Sequence, residues 1–343
     1  IMKLFSRGEK PSWIVSLIPF IFLIAILVVV IKIFGADALS GGSQVALLMA
    51  SGVVVAISMI FYKIPWKEFE EGITDNIKAV GSAILILLLI GAVAGSWMVS
   101  GVVPTMIYYG MKVIFPEIFL FASCVISALI AVMTGSSWTT IATIGVALMG
   151  VGEAMGLPEG WIAGAIISGA YFGDKLSLLS DTTVLASSTV GVEIFTHIRY
   201  MLYTTVPSML IALTVFGIAG VTLDHASAAT VDQYAETLYA SFNISPWLLI
   251  VPLLTGILIA RKLPALITLF AAVVFACVAM VVAQPALVAE VAGTASLDFM
   301  SAFKGVVMTC YGPTAIDTGS PELNELVATR GMGGMLNTVW LIL

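Results

Sequence analysis

Charge is scarce in this sequence. Lys and Arg number 14 and Asp and Glu 20, so only 10% of 343 residues are charged. No stretch has the polar surface of a soluble domain with its own core. The net charge of −6 is spread over the segments between apolar runs, and no nucleic-acid partner is expected. Cysteine is equally sparse. Cys124, Cys277 and Cys310 lie far apart in apolar segments without metal-ligand spacing, so they read as small core residues rather than a disulfide framework. There are two histidines, His197 and His225. His197 beside Arg199 could sense cytoplasmic pH, but a solvated interfacial histidine is the preferred reading.

Apolar residues are abundant instead: 60% of the chain, with mean hydropathy +1.12. Such a chain belongs in a lipid bilayer. A span needs about 20 apolar residues. The runs 12–34, 43–62, 77–95, 116–133, 199–221, 245–260 and 263–283 qualify as candidates. The first is too long for a signal-peptide core and lacks a small-residue cleavage site. The runs 101–115, 138–151 and 160–173 are short, as in re-entrant hairpins and half-helices. The expected fold is an all-α polytopic membrane protein with broken helices, forming one integral membrane domain over 1–343.

Basic residues set the orientation. Lys3, Arg7 and Lys10 precede the first run, Lys63, Lys67 and Lys78 follow the second, and Arg199 and Arg261–Lys262 mark later ends. The segments 35–44, 222–244 and 284–297 contain no Lys or Arg. The positive-inside rule then places the N-terminus in the cytoplasm and those three segments, read as loops, outside.

Two stretches resemble each other in opposite orientation. Residues 65–101 have an amphipathic entry and then Gly95-Ser-Trp-Met-Val-Ser-Gly101. Residues 299–343 have an amphipathic entry, a polar spacer and then a glycine-rich run with Trp340. Each follows a two-span hairpin. This is the pattern of inverted-topology repeats: repeat 1 over about 12–221, a linker at 222–244, and a partial repeat 2 over about 245–343. The counterpart of 101–221 does not follow the second copy, so the repeat reading expects a chain cut short of a complete transporter.

The polar residues concentrate in two places. Asp174, Lys175 and Asp181 sit in 169–191 with hydroxyls at Ser177, Ser180, Thr182, Thr183, Ser187 and Ser188. Ionised groups in a membrane segment cost several kcal/mol, roughly 2.5 to 3.5 on insertion scales, and mark ion or substrate paths. On a continuous helix the two aspartates would lie about 10.5 Å apart on one face. That is too wide to share a proton, but suits a carboxylate at each end of an oxygen-lined stretch, or a helix broken between them. The plainer alternative pairs Asp174 with Lys175 and makes Asp181 a helix cap.

The second place is 134–143, where Gly135 interrupts an apolar run among Thr134, Ser136, Ser137, Thr139, Thr140 and Thr143. Hydroxyls and freed carbonyls are hard oxygen ligands suited to Na⁺. A Ser/Thr-rich helix bonding back to its own carbonyls competes with this, above all at Thr140 and Thr143. Asp181, Ser180 and Ser137 are the candidate Na⁺ ligands, and Asp174, Ser177, Thr182, Thr134 and Ser136 complete the candidate ion and proton site. Lys175 is the candidate charge balance, and Gly135, Gly173, Gly101 and Pro104 the candidate helix breaks. Close packing through small residues explains the glycines near 101 equally well. Asp317, in Tyr311-Gly-Pro-Thr-Ala-Ile-Asp317-Thr-Gly-Ser320, lies in an outer vestibule or simply in a loop.

At 95–110, at Thr-Gly-Ser-Ser-Trp-Thr-Thr (134–140) and at Gly-Ala-Tyr-Phe-Gly-Asp-Lys-Leu-Ser-Leu-Leu-Ser-Asp-Thr-Thr (169–183) the chain resembles the NhaC sodium/proton antiporter family. The family usually has Pro where this chain has Leu178, which leaves the exact helix break open. The resemblance implies antiport of Na⁺ for H⁺ across a bacterial inner membrane, without another cofactor. Relatives of malate/lactate antiporter type make a small carboxylate the alternative substrate. A homodimer is compatible with this reading. An intramembrane aspartyl protease needs two aspartates facing each other, which seven-residue spacing on one segment disfavours. A channel is disfavoured by inverted repeats with broken helices.

Overall fold

The computed structural model describes residues 11–343 except 114, 178–179, 225, 227 and 262, and omits the side chains of 36, 39, 79, 133, 134, 181, 184, 185, 188, 189, 228, 229, 322 and 325. Lys3, Arg7, Lys10, Leu178, His225 and Lys262 therefore lie outside the described residues, as do the side chains of Thr134, Asp181 and Ser188.

The chain divides into two compact units, residues 1–87 with 335–343, and residues 88–334. The first contains helix α1 (Trp13–Phe34) and helix α2 (Gly42–Phe61). The Ser12 hydroxyl caps α1 by accepting from the Val15 amide, and Gly35 ends it. At 1.5 Å per residue its 22 residues cover about 33 Å, enough for a hydrocarbon core of about 30 Å. Most of its apolar side chains are exposed, as lipid contact requires. The buried face of α2 is small and polar, with Ser43, Gln44, Ala46 and Ala50. Gln44 Nε2 donates to the Asn337 carbonyl of the C-terminal helix Leu336–Ile342 at 3.1 Å. Helix α3 (Trp66–Val99) starts in this unit. Its charged first turns carry the exposed pairs Lys67–Glu71 and Lys78–Asp75, before the apolar part begins at Val80.

The second unit takes α3 from Leu88 onward. It continues through α4 (Val102–Val113), α5 (Pro116–Thr134), α6 (Ser137–Thr140), a π-turn at Ile141–Gly145, α7 (Val146–Ala154), α8 (Glu159–Leu176) and α9 (Asp181–Val190). Then come α10 (Ile194–Thr222), α11 (Ala228–Ser241), a 3₁₀ turn at Pro246–Leu249, α12 (Ile250–Ala260), α13 (Ala265–Ala283), α14 (Pro285–Ala292), α15 (Phe299–Tyr311), α16 (Pro321–Val327) and α17 (Gly331–Gly334).

Among the described residues five helices are long and apolar enough to cross a bilayer: 13–34, 42–61, 80–99, 194–222 and 265–283. With its all-helical secondary structure, this makes the chain a polytopic membrane protein. The run 116–133 forms the shorter α5. The run 245–260 forms a 3₁₀ turn and the still shorter α12, and the chain bends by 91° between 230–241 and 246–260. The segments 222–244 and 284–297, read as loops from their lack of basic residues, carry α11 and α14. Absence of Lys and Arg reports on side of the membrane, not on backbone conformation. The two stretches compared as repeats differ locally: 66–99 is one continuous helix, while 299–343 is interrupted after Tyr311 and Val327. Gly312-Pro313 supplies the first of those interruptions, and Pro321 opens the helix that precedes the second.

The tightest contact in the second unit joins α5 and α8. A Cβ placed on Gly169 would collide with the Cys124 carbonyl, and one on Gly173 with the Ala128 carbonyl and Ala131 Cβ. Four residues apart, both glycines lie on the same face of α8 and let the two backbones touch, as small-xxx-small pairs do in membranes. Gly173 was expected at a helix break. It lies within α8 instead, which ends at Leu176 before α9 begins at Asp181. Replacing Gly173 with Val should therefore destabilise the protein by about 1–3 kcal/mol, as overpacking does, read as a lower midpoint of thermal unfolding in detergent. Gly160→Ala, where a Cβ meets open space, is the control and should leave the midpoint unchanged. Equal midpoints for Gly173→Val and wild type would contradict the packing.

Candidate functional site

Two helix interruptions meet beside this contact. The first follows α5. Gly135 takes the left-handed conformation (φ 68°, ψ 20°) and its amide bonds the Ala131 carbonyl. A non-glycine residue is strained there. Ser136 is extended and restarts the helix as the N-cap of α6, its Oγ accepting from the Thr139 amide at 3.2 Å. The second interruption follows α8. Ser177 turns extended (ψ 133°), and the chain resumes helical form at Asp181. Ser180 Oγ accepts from the Thr183 amide at 3.4 Å, an N-cap for α9.

The interruptions are tied to each other. Ser137 Oγ donates to Asp174 Oδ2 at 2.8 Å. In the reverse direction Ser177 Oγ donates to the Val132 carbonyl at 2.9 Å. Thr183 Oγ1 lies 3.4 Å and 3.3 Å from the Asp174 and Lys175 carbonyls, covering the open end of α8 with the first turn of α9. Carbonyl groups freed by a broken helix need such partners in a water-poor interior.

The candidate residues divide accordingly. Ser137, Ser177 and Ser180 are buried, with Asp174 and Ser136 half-buried near them. Thr182 is exposed, its hydroxyl 2.9 Å from Ser180 Oγ. Lys175 is exposed and makes no ion pair with Asp174 within 4 Å. Asp174 thus holds its hydrogen bond from Ser137 in the last turn of α8. That is the negative end of the helix dipole, where no ammonium is in contact to favour its charge. Gly101 (φ 80°) joins α3 to α4, and Pro104 sits in the first turn of α4, where its missing N–H costs no helical bond. Asp317 is exposed in the loop after α15. Its Oδ1 accepts from the Gly319 amide at 3.0 Å and from Asn324 Nδ2 at 3.2 Å, which holds its carboxyl below the usual range.

Thr183, named among the hydroxyls of 169–191 but left out of the candidate site, is the buried threonine of its pair. A serine cap at 180 puts residue 183 in the third helical position, which is the available signal. The π-turn after Thr140 had no signal. Thr140 and Thr143 do bond back to the carbonyls of Ser136 and Thr139, the arrangement expected of a Ser/Thr-rich helix.

Interrupted helices around a carboxylate and hydroxyls, inside a polytopic membrane domain, recur in secondary transporters. The chain belongs to the Na⁺/H⁺ antiporter family, whose model matches residues 169–343. It is 36% identical over 280 residues to a malate-2H⁺/Na⁺-lactate antiporter of Bacillus subtilis, covering 81% of this chain and 57% of that protein. It is 34% identical over 298 residues to the Na⁺/H⁺ antiporter NhaC of the same organism, covering 86% and 63%. It is 31% identical over 342 residues to the arginine/ornithine antiporter ArcD of Halobacterium salinarum, covering 98% and 66%. The chain thus spans about six-tenths of the length of these curated relatives. No solved structure matches it.

The hydrogen bonds across the breaks predict a stability difference. Ser177→Ala removes the bond that the buried Ser177 hydroxyl makes to the Val132 carbonyl, so it should cost about 0.5–1.5 kcal/mol. Thr182→Ala, at an exposed position, should stay within about 0.5 kcal/mol. Thermal unfolding of the two variants in detergent checks this, and the reverse order would contradict the site's geometry.

Proposed function

We propose that the protein exchanges Na⁺ for H⁺ by alternating access, with a carboxylate and hydroxyl site that binds one ion or the other. The observation that carries this reading is the Ser137–Asp174 hydrogen bond, which joins two helix breaks at a carboxylate. Na⁺ beside a protonated carboxylate displaces the proton by favouring the charged form. One site can then alternate between the two ions without any cofactor or enzymatic step. Family membership supports the same reading.

On this reading Asp174 carries the proton. Asp181, Ser180 and Ser137 bind Na⁺, and Ser177, Thr182, Thr134 and Ser136 complete the oxygen-lined stretch. Lys175 is the charge-balancing group. Repeat 1 (about 12–221) and the partial repeat 2 (about 245–343) have inverted topology in the inner membrane of a bacterium, with the N-terminus cytoplasmic and 222–244 outside. A homodimer is compatible with it.

Similarity to the malate-2H⁺/Na⁺-lactate antiporter motivates a second reading, in which an organic acid travels with the ions. The Ser136-capped N-terminus of α6 would face its carboxylate.

Proton flux into vesicles containing the full-length protein tests both. Asp181→Asn should abolish Na⁺-dependent proton flux while the protein still inserts. Asp174→Asn should do the same. Adding Lys175→Met to Asp174→Asn should not restore flux if Asp174 carries the proton, and would restore it if the two only form a structural pair. Normal Na⁺-dependent flux in Asp181→Asn, with unchanged pH dependence, would overturn the assignment. Flux that requires labelled malate or lactate would move the conclusion to the organic-acid reading.

A further inference from the structure

Two thiols meet in the second unit. Cys277 lies in α13 and Cys310 in the last turn of α15, and their Sγ atoms are 3.7 Å apart. The third, Cys124, is buried and faces the Met209 thioether at 3.9 Å, which offers it no disulfide partner. Cys277 and Cys310 are both half-buried. Their helices also present apolar side chains outward: Val274 and Val278 on α13, Val307 on α15. These are the surfaces that acyl chains would cover, so a reagent dissolved in the lipid has a route to the pair. A disulfide needs an S–S distance of about 2.05 Å. The sulfurs therefore have to approach by less than their present separation, within reach of side-chain rotation or a small helix shift.

The helices they would join are otherwise held by few polar contacts. Trp97 Nε1 of α3 donates to the Ala272 carbonyl of α13 at 3.3 Å. The Thr309 carbonyl, one residue before Cys310, lies directly against Gly95 of α3. A covalent bond between Cys277 and Cys310 would close this set of three helices.

We propose that Cys277 and Cys310 form a dithiol modification site, which a lipid-soluble hydroperoxide converts to a disulfide that ties α13 to α15 and slows transport. In the first step one thiol sulfur attacks the hydroperoxide, breaking the O–O bond. It becomes a sulfenic acid, and the peroxide leaves as an alcohol carrying the thiol proton. In the second step the other sulfur displaces the sulfenic hydroxyl, which leaves with that thiol's proton as water. The two thiols together lose two hydrogens and two electrons, and the hydroperoxide is reduced to alcohol and water. Neither sulfur needs a third cysteine. A thiol reductant reverses the bond by exchange.

The effect on transport rests on the antiport reading above, but the site itself does not. The experiment uses full-length protein in proteoliposomes, with Cys124→Ser to remove the third thiol, treated with cumene hydroperoxide. Digestion without reductant should yield one linked pair of peptides containing Cys277 and Cys310, absent in Cys277→Ser and in Cys310→Ser. Na⁺-dependent proton flux should fall severalfold on treatment and return with dithiothreitol, while both single-serine variants keep their flux. Oxidation of the two cysteines to separate sulfinic or sulfonic acids, without a linked peptide, would overturn the proposal. A linked peptide with unchanged flux would overturn its effect on transport. Absence of Na⁺-dependent flux in the reduced, untreated protein would count against the antiport reading alone, because the linked peptide is detected without any transport assay.

Discussion

The close approach of α5 and α8 is the constraint on which the candidate site depends. Backbones can touch only where side chains are missing, and Gly169 and Gly173 supply that face. With a side chain at either position, α8 would stand off from α5. The hydrogen bonds that join the two breaks, at 2.8 Å and 2.9 Å, would then lengthen beyond use, since such bonds weaken steeply outside a narrow geometry. The catalogue of oxygen atoms around Asp174 is therefore a result of packing between small residues.

Breaking two helices inside an apolar domain exposes carbonyl and amide groups that cannot find water. The chain satisfies them mostly with its own hydroxyls. Ser136 and Ser180 cap the restarting helices, Ser177 bonds across to Val132, and Thr183 covers the carbonyls of Asp174 and Lys175. This explains the density of Ser and Thr without assigning every one of them to an ion. On the proposed reading the same groups have a second use, because oxygen atoms arranged around a break are also ligands for a hard cation. Ser137 differs from the caps. Its hydroxyl goes to a carboxylate on another helix, and that bond must rearrange if Asp174 takes a proton on the oxygen that accepts it.

Much of the fold was legible because its signals are local. The apolar runs at 12–34, 43–62, 199–221 and 263–283 need only length and composition, and they became helices within a few residues of those bounds. Gly135 marked its break through a conformation that favours glycine. The break near Asp181 was expected as one of two arrangements, and its edges at Ser177 and Ser180 are set by serines that no periodicity identifies. The meeting of Ser137 with Asp174 was not legible, because 37 residues separate them and only the α5–α8 contact brings them together. Gly173 illustrates the same limit: in sequence it reads as a breaker, and in the structure it is a packing surface. Cys277 and Cys310 read as unrelated core residues and are neighbours, again through tertiary contact.

The claim that one carboxylate site exchanges Na⁺ for H⁺ is tested most directly by adding Na⁺ to the purified full-length protein in weakly buffered detergent and measuring the protons released. The account predicts release that saturates with Na⁺. It also predicts that release is lost in Asp174→Asn, which has no proton to give at that position. Na⁺ binding without proton release, or undiminished release from Asp174→Asn, would contradict it.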